Sequence, residues 1–148
     1  VEHDVIDKIN ILRASLKAME IAVSNLHKRP DFLLIDGNQG LSILVPQETI
    51  VKGDAKCSSI AAASILAKVT RDSIMERYHE AYPQYNFCSH KGYATKEHLD
   101  ALREHGPCPI HRRTFSGVLT GRPEASSQAE AYSDRAETLS TERPLRIR

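Results

Sequence analysis

Two aspartates, Asp36 and Asp54, lie 18 residues apart, the first closing the apolar run Phe32-Leu33-Leu34-Ile35 and the second following Thr49-Ile50-Val51 by way of Lys52-Gly53. If adjacent strands bring both carboxylates to one sheet edge, they repel each other, and a divalent cation removes that cost. Mg²⁺ or Mn²⁺ prefers such hard oxygen ligands and keeps water and substrate phosphate in its shell. Two such ions about 4 Å apart can activate a water and stabilise the leaving oxygen of a phosphodiester. The competing reading is turn chemistry alone, because Asp36-Gly37 and Gly53-Asp54 are also common turn dipeptides.

Lys52, Lys56, Lys68, Arg71, Lys91 and the Arg112-Arg113 pair could contact phosphates, although each taken singly also reads as a solvated surface charge. Tyr93, after His90-Lys91-Gly92, offers an aromatic face on a glycine-flexed basic loop, suited to stacking on a sugar or base. A buried tyrosine anchoring that loop is the alternative. His90, His98, His105 and His111 with Cys88 and Cys108 raise a zinc reading, but their spacing matches no closed structural site. His98 and His105 read instead as flanking a helix, and His111 as a packing or hydrogen-bonding residue. Asp72, next to Arg71 in a long helix, reads as an ion-pair partner.

The elements that must position these groups follow from periodicity. Ile9, Leu12, Leu16, Met19 and Val23 recur at three- and four-residue steps, so a core-facing helix is expected from about Asp7 to Leu26, stopped by Pro30. Phe32 to Ile35 reads as a strand buried on both faces, with Asp36 at its C-terminal lip, where open α/β sheets place their chemistry. Leu41 to Val45 reads as a short strand interrupted by Pro46, and Thr49 to Val51 as another. A central helix is expected to run from a Ser58 or Ser59 cap to Tyr82, ended by Pro83. Gln84 to Tyr93 reads as an irregular aromatic and basic loop, and Lys96 to Glu104 as a shorter helix stopped by Gly106-Pro107. The expected organisation is a domain over residues 1–118 and a disordered tail over 119–148, where large apolar residues become sparse.

At 148 residues, 41% hydrophobic and 26% charged, the composition excludes collagenous and wholly disordered classes. No stretch approaches the roughly 20 apolar residues of a membrane-spanning helix, and from the acidic opening Val1-Glu2-His3-Asp4 no export signal is expected. Three cysteines without a Cys-x-x-Cys pair argue against a disulfide framework and fit a reducing, cytoplasmic compartment. The net charge of +1 says nothing about partners, but its distribution does: residues 52–113 carry 10 Lys/Arg against 7 Asp/Glu and five of the seven histidines. That is a mild polyanion-facing bias.

The ordered set Asn10-Ile11-Leu12-Arg13-Ala14-Ser15, Leu34-Ile35-Asp36-Gly37, Val51-Lys52-Gly53-Asp54, Ala62-Ala63-Ser64-Ile65-Leu66-Ala67-Lys68-Val69-Thr70-Arg71-Asp72, His90-Lys91-Gly92-Tyr93 and His111-Arg112-Arg113-Thr114-Phe115 closely resembles bacterial ribonuclease HII. The resemblance runs from about residue 4 to residue 118. It implies a ribonuclease-H-like α/β fold, a central sheet flanked by helices, here incomplete. It implies an endoribonuclease, monomeric in the complete enzyme, that cuts the RNA strand of RNA–DNA hybrids and 5′ of ribonucleotides embedded in duplex DNA, leaving a 3′-hydroxyl, as in ribonucleotide excision repair. The family holds Mn²⁺ or Mg²⁺ on four acidic residues; Asp36 matches the third and Asp54 the fourth, and both are thereby implied as catalytic metal ligands. Tyr93 matches the tyrosine that packs on the deoxyribose after the ribonucleotide, with Lys52 and Lys91 as implied substrate contacts. For Asp72 the resemblance supports a structural role.

Family members open with a strand carrying Asp-Glu and then a Gly-Arg-Gly loop, and neither motif occurs in residues 1–148. The chain is accordingly expected to be the C-terminal part of such an enzyme, weakly active or inactive alone, with an uncovered sheet edge beside Phe32 to Ile35 that invites aggregation or a partner. Two rival readings are a catalytically inactive hybrid-binding or partner-binding remnant and a zinc-stabilised interaction domain.

Overall fold

The computed structural model describes residues 1–118. The expected tail, 119–148, lies outside the described residues. Two compact units divide the chain, Val1–Val69 and a second beginning at Thr70, with the boundary inside a helix.

In the first unit, α1 spans His3–Ser24 but is broken at Asn10, whose backbone is non-helical (φ 65°, ψ 166°). The Asn10 side-chain oxygen accepts the Arg13 amide at 3.1 Å, so Asn10 caps the longer second segment. The sequence expectation of one uninterrupted helix through Asn10 is corrected here: asparagine tolerates positive φ and can satisfy an orphan amide. The expectation that the Ile9–Val23 stripe faces a core is corrected as well. Ala14 is the buried residue of α1, while Leu12 is 50% exposed and Met19 lies near the surface.

Strands β1 (Leu33–Asp36) and β2 (Gln47–Ile50) pair in parallel, with Leu33 opposite Gln47 and Asp36 opposite Ile50. Parallel pairing brings the C-terminal ends of both strands to the same edge. The sheet is covered on one face, not two: Ile35 is buried, but Phe32 and Leu34 are exposed. The strand expected at Leu41–Val45 does not form. The Gln47 side chain takes the backbone groups of Leu41 instead, accepting its amide at 2.8 Å and donating to its carbonyl at 2.9 Å. Leu44 is 93% exposed among the described residues.

After β2 comes the single turn α2 (Gly53–Lys56), then the long α3 (Ser58–Ala81). The first backbone bond of α3 runs from the Ala61 amide to the Cys57 carbonyl, so Cys57, not Ser58 or Ser59, stands at the N-cap. The expected central position of this helix also needs correction, since Ile65, Leu66 and Val69 are each more than half exposed.

The second unit holds the larger core. Ala81, Tyr82, Tyr85, Phe87, Leu102, Cys108 and Val118 form one buried cluster, with Met75, Leu99 and Phe115 packed against it. The segment expected as irregular loop is partly built into that core: Pro83–Tyr85 is a 3-10 turn and Phe87–His90 a one-turn helix, α4. Asn86 between them is left-handed (φ 51°), and that reversal aims Tyr85 and Phe87 at the same cluster. Helix α5 (Lys96–His105) starts on a Thr95 cap, whose hydroxyl accepts the His98 amide, and stops at Gly106 (φ 70°).

Candidate functional site

Asp36 is the last residue of β1 and is exposed. Its Oδ1 accepts the backbone amide of Gly53 at 2.7 Å, a bond that reaches from the end of one strand to the turn after the other. Gly53 is buried there, and its missing side chain is essential. A Cβ would lie 2.6 Å from Ile60 Cδ1 and 3.3 Å from Asp36 Oδ1, well inside the ordinary contact distance of about 3.5–4.0 Å. The next residue, Asp54, opens α2 and is exposed, with its Oδ1 accepting the Ala55 amide at 2.9 Å. Lys52 precedes this turn in the left-handed region (φ 56°) and is exposed. Three of the residues singled out in the sequence, Asp36, Lys52 and Asp54, are thus gathered at the C-terminal edge of the parallel pair.

Each aspartate keeps an oxygen beyond its backbone hydrogen bond, and neither forms an ion pair with Lys or Arg among the described residues. Two exposed carboxylates of this kind fit a hard divalent cation. They are a partial ligand set, because no group of three or more His, Cys, Asp or Glu suited to a metal occurs among the described residues.

Tyr93 and Lys91 belong to the second unit. Tyr93 is 61% exposed, and the Arg71 guanidinium sits against its ring, 4.8 Å from the centroid. Arg71 also donates from Nη2 to the Lys91 carbonyl at 2.8 Å, so one side chain supports both the ring and the loop that carries it. Gly92 makes that approach possible: its φ is +77°, and a Cβ would meet Met75 Cε at 3.0 Å. The Lys91 ammonium is engaged within the protein, donating to Glu76 at 2.7 Å and to the Cys88 carbonyl at 2.7 Å. Asp72 lies 3.7 Å from Arg71 Nη1 and is partly buried, the ion-pair environment its position suggested.

Of the histidines singled out in the sequence, His98 and His111 converge through hydrogen bonds, the role expected for His111, and His105 ends α5. His98 Nε2 lies 3.1 Å from His111 Nε2, and His111 Nδ1 lies 3.0 Å from the Cys108 amide. This pairing had no sequence signature, since the two histidines stand 13 residues apart and on different elements. The Arg71–Tyr93 stack was equally hidden; Arg71 was legible only as one cation among several. All three cysteines are free. No described helix is long and apolar enough to cross a membrane.

The chain matches the family model described as Ribonuclease HII over residues 1–118. It is 54% identical to the ribonuclease HII of Syntrophus aciditrophicus over 84% of this chain and 58% of that protein. With the ribonuclease HII of Endomicrobium trichonymphae it shares 58% identity over 80% of this chain and 57% of the relative. With that of Caldanaerobacter subterraneus it shares 57% over 74% and 46%. The chain therefore spans about half the length of the curated relatives it matches. An α/β architecture with a small parallel sheet agrees with that match, and on these grounds the chain belongs to the ribonuclease HII family.

Proposed function

We propose that the complete protein is an endoribonuclease that hydrolyses the RNA strand of RNA–DNA hybrids and cuts 5′ of single ribonucleotides in duplex DNA. The observation that carries this reading is the Asp36–Gly53 hydrogen bond at 2.7 Å, which ties one carboxylate to the backbone next to the other. Asp36 and Asp54 would hold Mn²⁺ or Mg²⁺ through oxygen. A bound pair of such ions would supply an activated water and stabilise the leaving 3′-oxygen. The chain's own part is to keep two anionic groups fixed at one strand edge, where water and phosphate complete the coordination. Tyr93, seated on Arg71, presents its outer face to the sugar that follows the ribonucleotide, and Lys52 adds a cation beside the carboxylates.

The test is cleavage of a hybrid by the full-length protein in Mn²⁺. Asp36→Asn retains an oxygen to accept the Gly53 amide, so the fold is kept while turnover is lost; turnover at the original rate would refute the ligand role. Tyr93→Ala should lower cutting at a junction more than cutting of a uniform hybrid, and equal losses on both would refute the junction role. For the 148-residue chain alone, the two-carboxylate set favours a second reading: salt-dependent association with hybrid and no cleavage.

A further inference from the structure

Behind Tyr93 the second unit holds buried imidazoles that the proposed chemistry leaves unused. His90, His98 and His111 are each 6–7% exposed. They pack with Phe87, and His90 stacks on His98 at 4.5 Å between ring centroids. Backbone partners of fixed polarity determine where each proton sits. His111 Nδ1 accepts the Cys108 amide at 3.0 Å, so that nitrogen is bare and the proton is on Nε2. The Tyr93 carbonyl lies 2.9 Å from His98 Nδ1, so His98 carries its proton there. The contact of 3.1 Å between the two Nε2 atoms then has one donor, His111, and one acceptor, His98.

One assignment satisfies every member: Cys108 N–H to His111, His111 to His98, His98 to the Tyr93 carbonyl. The Cys108 thiol, held protonated by burial, lies 3.0 Å from His111 Nδ1, whose one lone pair already accepts the Cys108 amide. His90 is fixed the same way, accepting the Gly92 amide at Nδ1 and donating from Nε2 to the Tyr85 carbonyl. The Tyr93 amide in turn donates to the His90 carbonyl at 2.9 Å. The backbone of Tyr93 is therefore held by this cluster together with the Thr95 amide, which donates to the Tyr93 carbonyl at 2.8 Å, while its ring rests on Arg71.

We propose that His98 and His111 form a neutral, one-directional hydrogen-bond relay that positions Tyr93, making them specificity-determining residues for the contact its ring makes with nucleic acid. This rests on the reading of Tyr93 as a junction-contacting residue. Neither histidine touches substrate; both act through the Tyr93 carbonyl. The Tyr93 carbonyl accepts the Thr95 amide at 2.8 Å on one lone pair, and the relay of fixed direction supplies a second donor, His98 Nδ1, at 2.9 Å on the other.

The experiment compares wild type, Tyr93→Ala, His98→Asn and His98→Leu in the full-length protein, on duplex DNA with one ribonucleotide and on uniform RNA–DNA hybrid. An asparagine amide can donate to the Tyr93 carbonyl from near the Nδ1 position; leucine cannot. We expect His98→Leu to raise KM on the junction substrate about tenfold, the order expected for a disturbed stacking contact, with kcat on uniform hybrid unchanged. His98→Asn should restore most of the loss. Equal defects in the two His98 variants, or a normal His98→Leu beside a defective Tyr93→Ala, would overturn the relay. If Tyr93→Ala keeps its junction preference, the reading of Tyr93 itself falls and the specificity role falls with it. Should His98→Leu not fold, long-range ¹H–¹⁵N correlation of the wild-type imidazoles decides: protons on His98 Nδ1 and His111 Nε2 support the relay, and the opposite tautomers or an imidazolium at neutral pH overturn it.

Discussion

Replacing Gly53 with alanine perturbs the joint that holds the two carboxylates together. The new Cβ would stand 2.6 Å from Ile60 Cδ1, 3.3 Å from Asp36 Oδ1 and 3.5 Å from Asp36 Cα. Ile60 is 5% exposed, so its terminal methyl has no solvent route of escape. Overpacking of this kind costs about 1–3 kcal/mol. Ile60→Val deletes the clashing Cδ1 and by itself costs about 0.5–1.5 kcal/mol. If the clash is the cause, Gly53→Ala in the Ile60→Val background should cost little more than Ile60→Val alone, leaving a favourable coupling of about 1–2 kcal/mol. Urea unfolding of the four proteins followed by far-ultraviolet circular dichroism measures each term. Additivity within about 0.5 kcal/mol would refute the close approach of Gly53 to Ile60, and with it the account of how Asp54 is carried to the end of β1.

The cysteines should react with an alkylating reagent in a fixed order. Burial pushes the Cys108 thiol up to about 12, whereas amides of Ile60 and Ser59 at the start of α3 hold the Cys57 thiol below its ordinary value. Mass spectrometry of the native chain at pH 8 should find Cys57 and exposed Cys88 modified before Cys108; early labelling of Cys108 would contradict its burial. Burial also lowers the proton affinity of His98 from the ordinary 6.5. Below that pH the unfolded chain takes up a proton that the folded chain refuses, so stability is undiminished above 6.5 and falls as pH drops beneath it. The slope from this one group approaches about 1.4 kcal/mol per pH unit until the folded state protonates as well. Denaturation midpoints between pH 7 and pH 5 should decline less steeply in His98→Asn than in wild type; identical slopes would contradict a buried neutral imidazole.

What was legible in the sequence tracks local chemistry. The strand ending in Asp36 and the helix stopping at Gly106 carry their own signals, β-type residues and a C-terminal glycine, and both stand where expected. Asp36 likewise closes its strand as expected, whereas Asp54 lies on α2 beyond the end of β2 and is tied to that edge through the Gly53–Asp36 hydrogen bond. What was illegible depends on partners distant in sequence. Leu41 to Val45 looks like a strand until the Gln47 amide claims its backbone. Asn10 looks like a helix-interior residue until its side chain caps the next turn. Periodicity marked the apolar stripe of α1 and the exposed Ile65, Leu66 and Val69 of α3, but it reports only that a face is apolar, not that something covers it. The aromatic loop after Pro83 was hidden for a related reason: two left-handed residues, Asn86 and Lys91, fold it into the core, and neither is a glycine.

In the proposed function Asp36 and Asp54 act as one cation site. Mn²⁺ titration followed by electron paramagnetic resonance, on the full-length protein and on Asp36→Asn, Asp54→Asn and the double variant, tests it most directly. Each single change should weaken Mn²⁺ binding at least about tenfold, a loss of about 1.4 kcal/mol, and the double variant should lose less than the sum of the two, because the ligands share their ions. Unaltered Mn²⁺ affinity in either single variant would contradict the account.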